Sequence, residues 1–213
     1  MKSFFRQGDH GTFHYEMPEH NPGKLPIAVF LHGGSTRSQH TKFWGPILEI
    51  IQRYCYPLLT DRFGHGKSTG TGGLQANLEV MDDIVGDILS EQEQSQIYLV
   101  GRSAGAMYAM RMYESDPDRI AGMGLVAPAS LGTYADKLSQ FDGILTLLWD
   151  IDDPVVSFSN YSHVADHGIR ASLYTIGPHP DAVASASREL KPSHVPELMA
   201  PELFDAFLKQ LLS

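Results

Sequence analysis

The chain has 213 residues, 42% of them hydrophobic and 19% charged, a composition that implies one compact domain over residues 1–213 with a sizeable core and excludes a pair of independent enzymes. Its 25 acidic against 16 basic residues give a formal net charge of -9 with no lysine or arginine run, which argues against a nucleic-acid groove or an anionic membrane surface as partner. No stretch approaches the roughly 18 consecutive apolar residues of a membrane span, no long apolar region follows Met1 to Gln7, and Cys55 is the single cysteine, so a cytoplasmic protein without export signal or internal disulfide is expected.

Lys2 to Gln7 and Thr12 to Tyr15 flank a Gly8-Asp9-His10-Gly11 turn and predict an opening hairpin, with Asn21-Pro22-Gly23 as the next turn. Ile27 to Leu31 is a continuous apolar run, the pattern of a central strand covered on both faces. It ends in His32-Gly33-Gly34-Ser35, where glycines let the backbone approach a substrate oxygen, so the Gly34 amide is a candidate oxyanion donor and His32 reads as a structural histidine of the loop. Pro57 to Leu59 is the next strand. Gly64 to Ser68 then ends like a phosphate-binding loop, but Asp61 stands where that loop needs its first glycine, and Lys67-Ser68 runs on into Thr69 to Gly73 instead of a helix. ATP or GTP chemistry is therefore not expected. Leu74, Leu78, Met81, Val85, Ile88 and Leu89 mark the buried face of a helix whose acidic residues, Glu79, Asp82, Asp83 and Asp87, form its solvated face.

Ile97 to Val100 is a strand that runs directly into Gly101-Arg102-Ser103-Ala104-Gly105, and a helical segment over Ala106 to Glu114 follows. Small residues around the serine suit a sharp strand-to-helix reversal that thrusts Ser103 outward as a nucleophile, while the helix-starting amide of Ala104 faces developing negative charge. Met123 to Val126 and Ile144 to Trp149 are two more strands, and the 17 residues between them hold a loop and one short helix, such as Tyr134 to Phe141. After Trp149 come Asp150-Ile151-Asp152-Asp153-Pro154. Asp153 has enough loop to turn toward the serine and orient a base, with Asp150 and Asp152 as alternatives; three carboxylates without a nearby histidine read as a polar loop, and no metal is expected. His163 and His167 have helical spacing but no third ligand.

A serine nucleophile needs a base. The last strand is placed at Ala171 to Ile176, and two histidines follow it: His179 in Gly177-Pro178-His179-Pro180, and His194 in Pro192-Ser193-His194-Val195-Pro196. His194 is favoured because its loop leads into the terminal helix from Pro201 to Leu211, with Leu203, Phe204, Phe207, Leu208 and Leu211 on one face. No GxGxxG follows an early strand, so no cofactor is expected. Alternating strands and helices give a three-layer α/β fold with a central, mostly parallel sheet and its ligand site beyond the strands' C-terminal ends.

With these pieces in order, the sequence resembles the α/β-hydrolase superfamily from about Phe13 to Leu212. The matching segments are His32-Gly33-Gly34, Asp61 to Ser68, the Gly101 to Gly105 elbow, Asp153-Pro154, and His194 seven residues before Pro201. The resemblance implies the order nucleophile, acid, histidine for Ser103, Asp153 and His194, and makes the Asp61 to Ser68 stretch a structural turn beside the pocket. Relatives usually have glycine where this chain has Asp150 and Ser193, and the segment between Ile176 and His194 is longer than usual, with room for an extra helix at Asp181 to Leu190. Many relatives insert a lid where this chain has only residues 127–143. The resemblance thus implies a small, lidless or minimally lidded serine esterase or thioesterase that cleaves a small acyl substrate through an acyl-enzyme. Carbon-carbon bond hydrolysis, lactone opening or a lyase step in the same pocket is the alternative, and small-ligand binding without turnover a second one.

Overall fold

The computed structural model describes residues 1–34, 43–186 and 192–213. The opening residues form the expected hairpin, β1 (Lys2–Gly8) and β2 (Gly11–Met17), paired antiparallel. Seven further strands follow: β3 (Ile27–Leu31), β4 (Tyr56–Asp61), β5 (Ile97–Arg102), β6 (Ile120–Val126), β7 (Ile144–Asp150), β8 (Ser172–Ile176) and β9 (Ala184–Ala186). Among the described residues these nine strands lie in one sheet of order β1-β2-β4-β3-β5-β6-β7-β8-β9, parallel from β4 onward. β2 pairs β4 antiparallel.

The apolar runs serve both faces of this sheet. On β3, Ile27, Val29 and Leu31 pack into one layer and Ala28 and Phe30 into the other. The first layer is covered by α2 (Leu74–Gln92) and α3 (Ala104–Ser115), the second by α1 (Leu48–Tyr54) and the terminal helix α7 (Pro201–Leu211). Helices on both sides of a parallel sheet make the three-layer α/β fold that the run pattern predicts, and right-handed crossovers leave the C-terminal strand ends free for a site.

Between β6 and β7 the chain forms a 3-10 turn, Leu131–Tyr134, and the single-turn helix α4, Ala135–Leu138; no lid is built there. Another short helix, α5 (Ser162–Asp166), precedes β8. The helix anticipated over Asp181 to Leu190 is corrected: Ala184–Ala186 is the edge strand β9, and residues 187–190 of that expectation lie outside the described residues. Val183 N donates to Leu173 O at 2.8 Å, which draws this segment alongside β8 and gives its backbone a ladder in place of a helix. A last short helix, α6 (Pro196–Met199), precedes α7. Among the described residues, no helix is long and apolar enough to cross a membrane.

Candidate active site

Ser103 stands between the end of β5 and the start of α3, with φ 51° and ψ -118°, a region that L side chains rarely enter and that costs on the order of 1–3 kcal/mol. Neighbouring backbone holds it there. Ser103 N donates to Val126 O on β6 at 2.8 Å, and Ser103 O accepts from Ala106 N at 3.0 Å and Ala129 N at 3.1 Å. The glycines two residues to either side are dictated by how closely helix and strand approach. A Cβ on Gly101 would stand 2.7 Å from Ala106 Cα, and one on Gly105 would run into the Leu31 carbonyl.

The oxyanion candidates meet at the same place. A Cβ on Gly34 would lie 2.8 Å from Ala104 Cβ, so the loop after β3 passes directly over the first residue of α3. The Ala104 amide, first in its helix, has no partner within it. Ser35, next to Gly34, lies outside the described residues. The loop is anchored from below: His32 Nδ1 donates to Gly33 O at 2.8 Å, and its Nε2 accepts from the Arg62 amide at 3.1 Å. Arg62 Nη2 donates to Gly33 O at 2.5 Å while its guanidinium stacks over Tyr108 at 4.8 Å. Burial, reinforced by Arg62, pushes the His32 pKa down to about 3, so this imidazole is neutral and is spent on the loop.

On the other side of the site, β7 ends at Asp150. The Asp153 carboxylate has no exposed surface and accepts the amides of Val155 at 2.8 Å and Val156 at 2.9 Å. It also faces His194, whose Nδ1 lies 2.9 Å from Oδ2 and 3.1 Å from Oδ1. Of the alternatives to Asp153, Asp152 is exposed and Asp150 is otherwise engaged. Asp150 accepts the amides of Asp152 at 2.9 Å and Ser193 at 2.8 Å. His179 sits among Phe158 and Tyr161, ring centroids 5.0 and 5.5 Å away, and its Nδ1 accepts the Asp181 amide at 3.2 Å.

The structure therefore brings Asp153 and His194 into contact and sets Ser103 in an outward elbow at the C-terminal ends of the strands, Asp153 being buried and Ser103 and His194 half-buried. Among the described residues no hydrogen bond joins the Ser103 hydroxyl to His194; in unliganded sites such bonds are often long and tighten with substrate. The link between the two segments is Arg102, the residue before Ser103, whose Nη2 donates to the His194 carbonyl. Arg102 pairs through Nε with Glu197 Oε1 at 2.8 Å, and both side chains are buried. The sequence alone does not single out this pair. Burial lowers the Arg102 pKa and raises that of Glu197 to about 7, each opposed by the other's charge.

No cluster of His, Cys, Asp and Glu suited to a metal ion occurs among the described residues. Lys67, in the stretch that mimics a phosphate loop, pairs with Glu16 at 3.0 Å, and Ser68 Oγ, which donates to Asp61 O at 2.6 Å, accepts the His14 amide at 2.7 Å. This turn ties β2 to β4 rather than cradling an anion. A separate hollow of about 510 Å3 is bordered by Leu74, Leu78, Met112, Ile97 and Ile120. Ile97 and Ile120 begin β5 and β6, which puts it at the opposite end of the sheet from Ser103.

A family model described as Hydrolase_4, serine aminopeptidase S33, matches residues 27–149. An esterase of Mycobacterium tuberculosis is 26% identical over 128 residues, 59% of this chain and 41% of that protein, so the chain matches less than half of its relative's length. A protein described as a CIB-like hydrolase, from Thermoplasma acidophilum, superposes with a TM-score of 0.72 at 17% identity, covering 96% of this chain and 94% of that one. A carboxylesterase of Bacillus subtilis superposes with the same TM-score at 14% identity, over 99% of this chain and 91% of that one. At those identities the two superpositions speak for the fold.

Proposed function

The chain belongs to the α/β-hydrolase family described as serine aminopeptidase S33, and from that premise we propose that it is a serine hydrolase that cleaves a small carboxylic ester or thioester. The observation that carries this reading is the contact of His194 Nδ1 with Asp153 beside a strained serine elbow. Asp153, already fixed by two backbone amides, holds the Nδ1–H tautomer and leaves Nε2 as the basic nitrogen. Ser103 Oγ attacks the acyl carbonyl as His194 takes its proton. The amides of Gly34 and Ala104 stabilise the tetrahedral oxyanion. The imidazolium then protonates the departing alcohol or thiol, and a water activated by His194 releases the acid from Ser103. The short connection between β6 and β7 supports a small or partly exposed substrate, because its 3-10 turn and single-turn helix are too short to make a lid over a long acyl chain.

The experiment that tests the reading is pre-steady-state hydrolysis of p-nitrophenyl acetate beside an acyl thioester and an aminoacyl p-nitroanilide. A burst of one p-nitrophenolate per active protein followed by slower turnover is the expected result for an acyl-enzyme. Turnover of the anilide alone would transfer the reading to the aminopeptidase activity in the family's description, and no turnover of any of the three would overturn it.

A further inference from the structure

We propose that Arg102, held by Glu197, is a positioning residue that sets His194 against Ser103, an inference that rests on the serine-hydrolase reading above. Arg102 closes β5 immediately before Ser103, so its side chain leaves the same turn that presents the hydroxyl. Glu197 lies across the site in α6, three residues beyond His194. The guanidinium lies between the two segments. Nη2 donates to the His194 carbonyl, Nε meets Glu197 at 2.8 Å, and its face lies 4.2 Å over the Phe43 ring. Nη1 flanks the oxyanion loop, since a Cβ on Gly33 would stand 2.6 Å from it.

Stability does not account for this pair. Glu197 has no exposed surface, and its contact with Arg102 is a meeting of charges rather than a well-directed hydrogen bond. Burial opposes its ionisation, and a buried ion pair of this kind is commonly replaced by apolar side chains without loss. What apolar side chains would not supply is a donor aimed at the carbonyl of His194. Asp153 fixes the imidazole ring and Asp150 fixes the preceding amide, at Ser193; Arg102 fixes the main chain of the histidine itself. A base displaced by about 1 Å loses on the order of 10²-fold in rate, so the third point of attachment bears on kcat. Among the described residues, the charged and titratable groups around the guanidinium are Glu197, His194 and Asp153, and none of them provides a second donor to that carbonyl.

The test compares Arg102→Met with the double variant Arg102→Met/Glu197→Gln on p-nitrophenyl acetate, with thermal unfolding and fluorophosphonate labelling of the wild type as controls. The single variant strands Glu197 without its counter-ion, so both its melting temperature and its kcat are expected to fall. The double variant leaves no unpaired charge. Its melting temperature is expected to return toward the wild type, while kcat stays about 10- to 100-fold down and KM remains within about 3-fold. Recovery of kcat together with stability, or a rise in KM at unchanged kcat, would overturn the positioning role. If Ser103 is not the residue labelled in the wild type, it is the serine-hydrolase reading that fails, and the two failures are thereby told apart.

Discussion

Asp150 Oδ2 accepts the backbone amide of Ser193 at 2.8 Å, joining the end of β7 to the residue before His194. These are the two positions at which the chain parts from the glycines usual in the proteins it resembles, and they are bonded to each other. Asp150 carries this bond while Asp153, three residues on, faces the imidazole. The two carboxylates thus have different tasks. Asp153→Ala is expected to cut kcat by about 10³- to 10⁴-fold, because the imidazole loses the partner that selects its tautomer. Asp150→Ala is expected to cost nearer 10-fold in kcat and about 1–3 kcal/mol of stability, the cost of leaving amides without an acceptor. Steady-state kinetics and urea unfolding of both variants check this, and equal kinetic losses would contradict the division.

The two histidines late in the chain separate in the same way. His194→Ala is expected to reduce kcat to the depth of Ser103→Ala, since members of one triad act as a unit. His179 packs on Phe158 and Tyr161, and His179→Ala is expected to leave kcat within about 3-fold. The reverse order of effects would reassign the base.

Acyl-chain dependence follows from the uncovered connection over residues 131–138. A methylene left in water gains nothing of the roughly 0.8 kcal/mol that burial would supply. The kcat/KM of p-nitrophenyl esters should therefore peak at short acyl groups. A steady rise of several-fold per two carbons up to decanoyl, below micelle formation, would show a pocket that buries longer chains.

Glu197 gives a stability signature in pH. Its carboxyl sits at about 7 in the folded protein against an ordinary value of 4.5, chiefly because of desolvation. The folded state thus binds more protons than the unfolded one between those values, and stability from this group falls as pH rises from about 4.5 to 7, staying lower above. The full difference is on the order of 3 kcal/mol. Unfolding free energies of the wild type minus those of Glu197→Gln should decline across pH 5 to 8. A difference independent of pH would contradict the assignment.

Much of the sheet is legible in the sequence because a strand covered on both faces reads as an unbroken apolar run, as in Ile27–Leu31 and Ile144 to Trp149. The start of β6 is not, since Ile120-Ala121-Gly122 has a glycine and little bulk to mark it. β9 escapes as well: Ala184-Ser185-Ala186 has no β-branched or aromatic residue, and it is a strand only because β8 offers an open edge. In the site, Ser103 is legible from its strand-glycine-helix setting, and Asp153 and His194 from their loops. Their contact joins residues 41 positions apart and belongs to the structure. Arg102 and Glu197 are the residues that reading misses. An arginine in an elbow and a glutamate after Pro196 each have a local explanation, as elbow neighbour and helix-start acid, and nothing in the sequence couples them across 95 positions.

The measurement that bears most directly on the account is peptide mapping of the protein after reaction with a fluorophosphonate, done in parallel with the Ser103→Ala variant. One adduct is predicted, on the peptide that contains Ser103, with complete loss of turnover in proportion to labelling; Ser103→Ala should take up no label and fall at least about 10³-fold in kcat while keeping its fold. An adduct on another serine, or an unlabelled Ser103→Ala variant that still turns over p-nitrophenyl acetate at near the wild-type rate, would contradict the account.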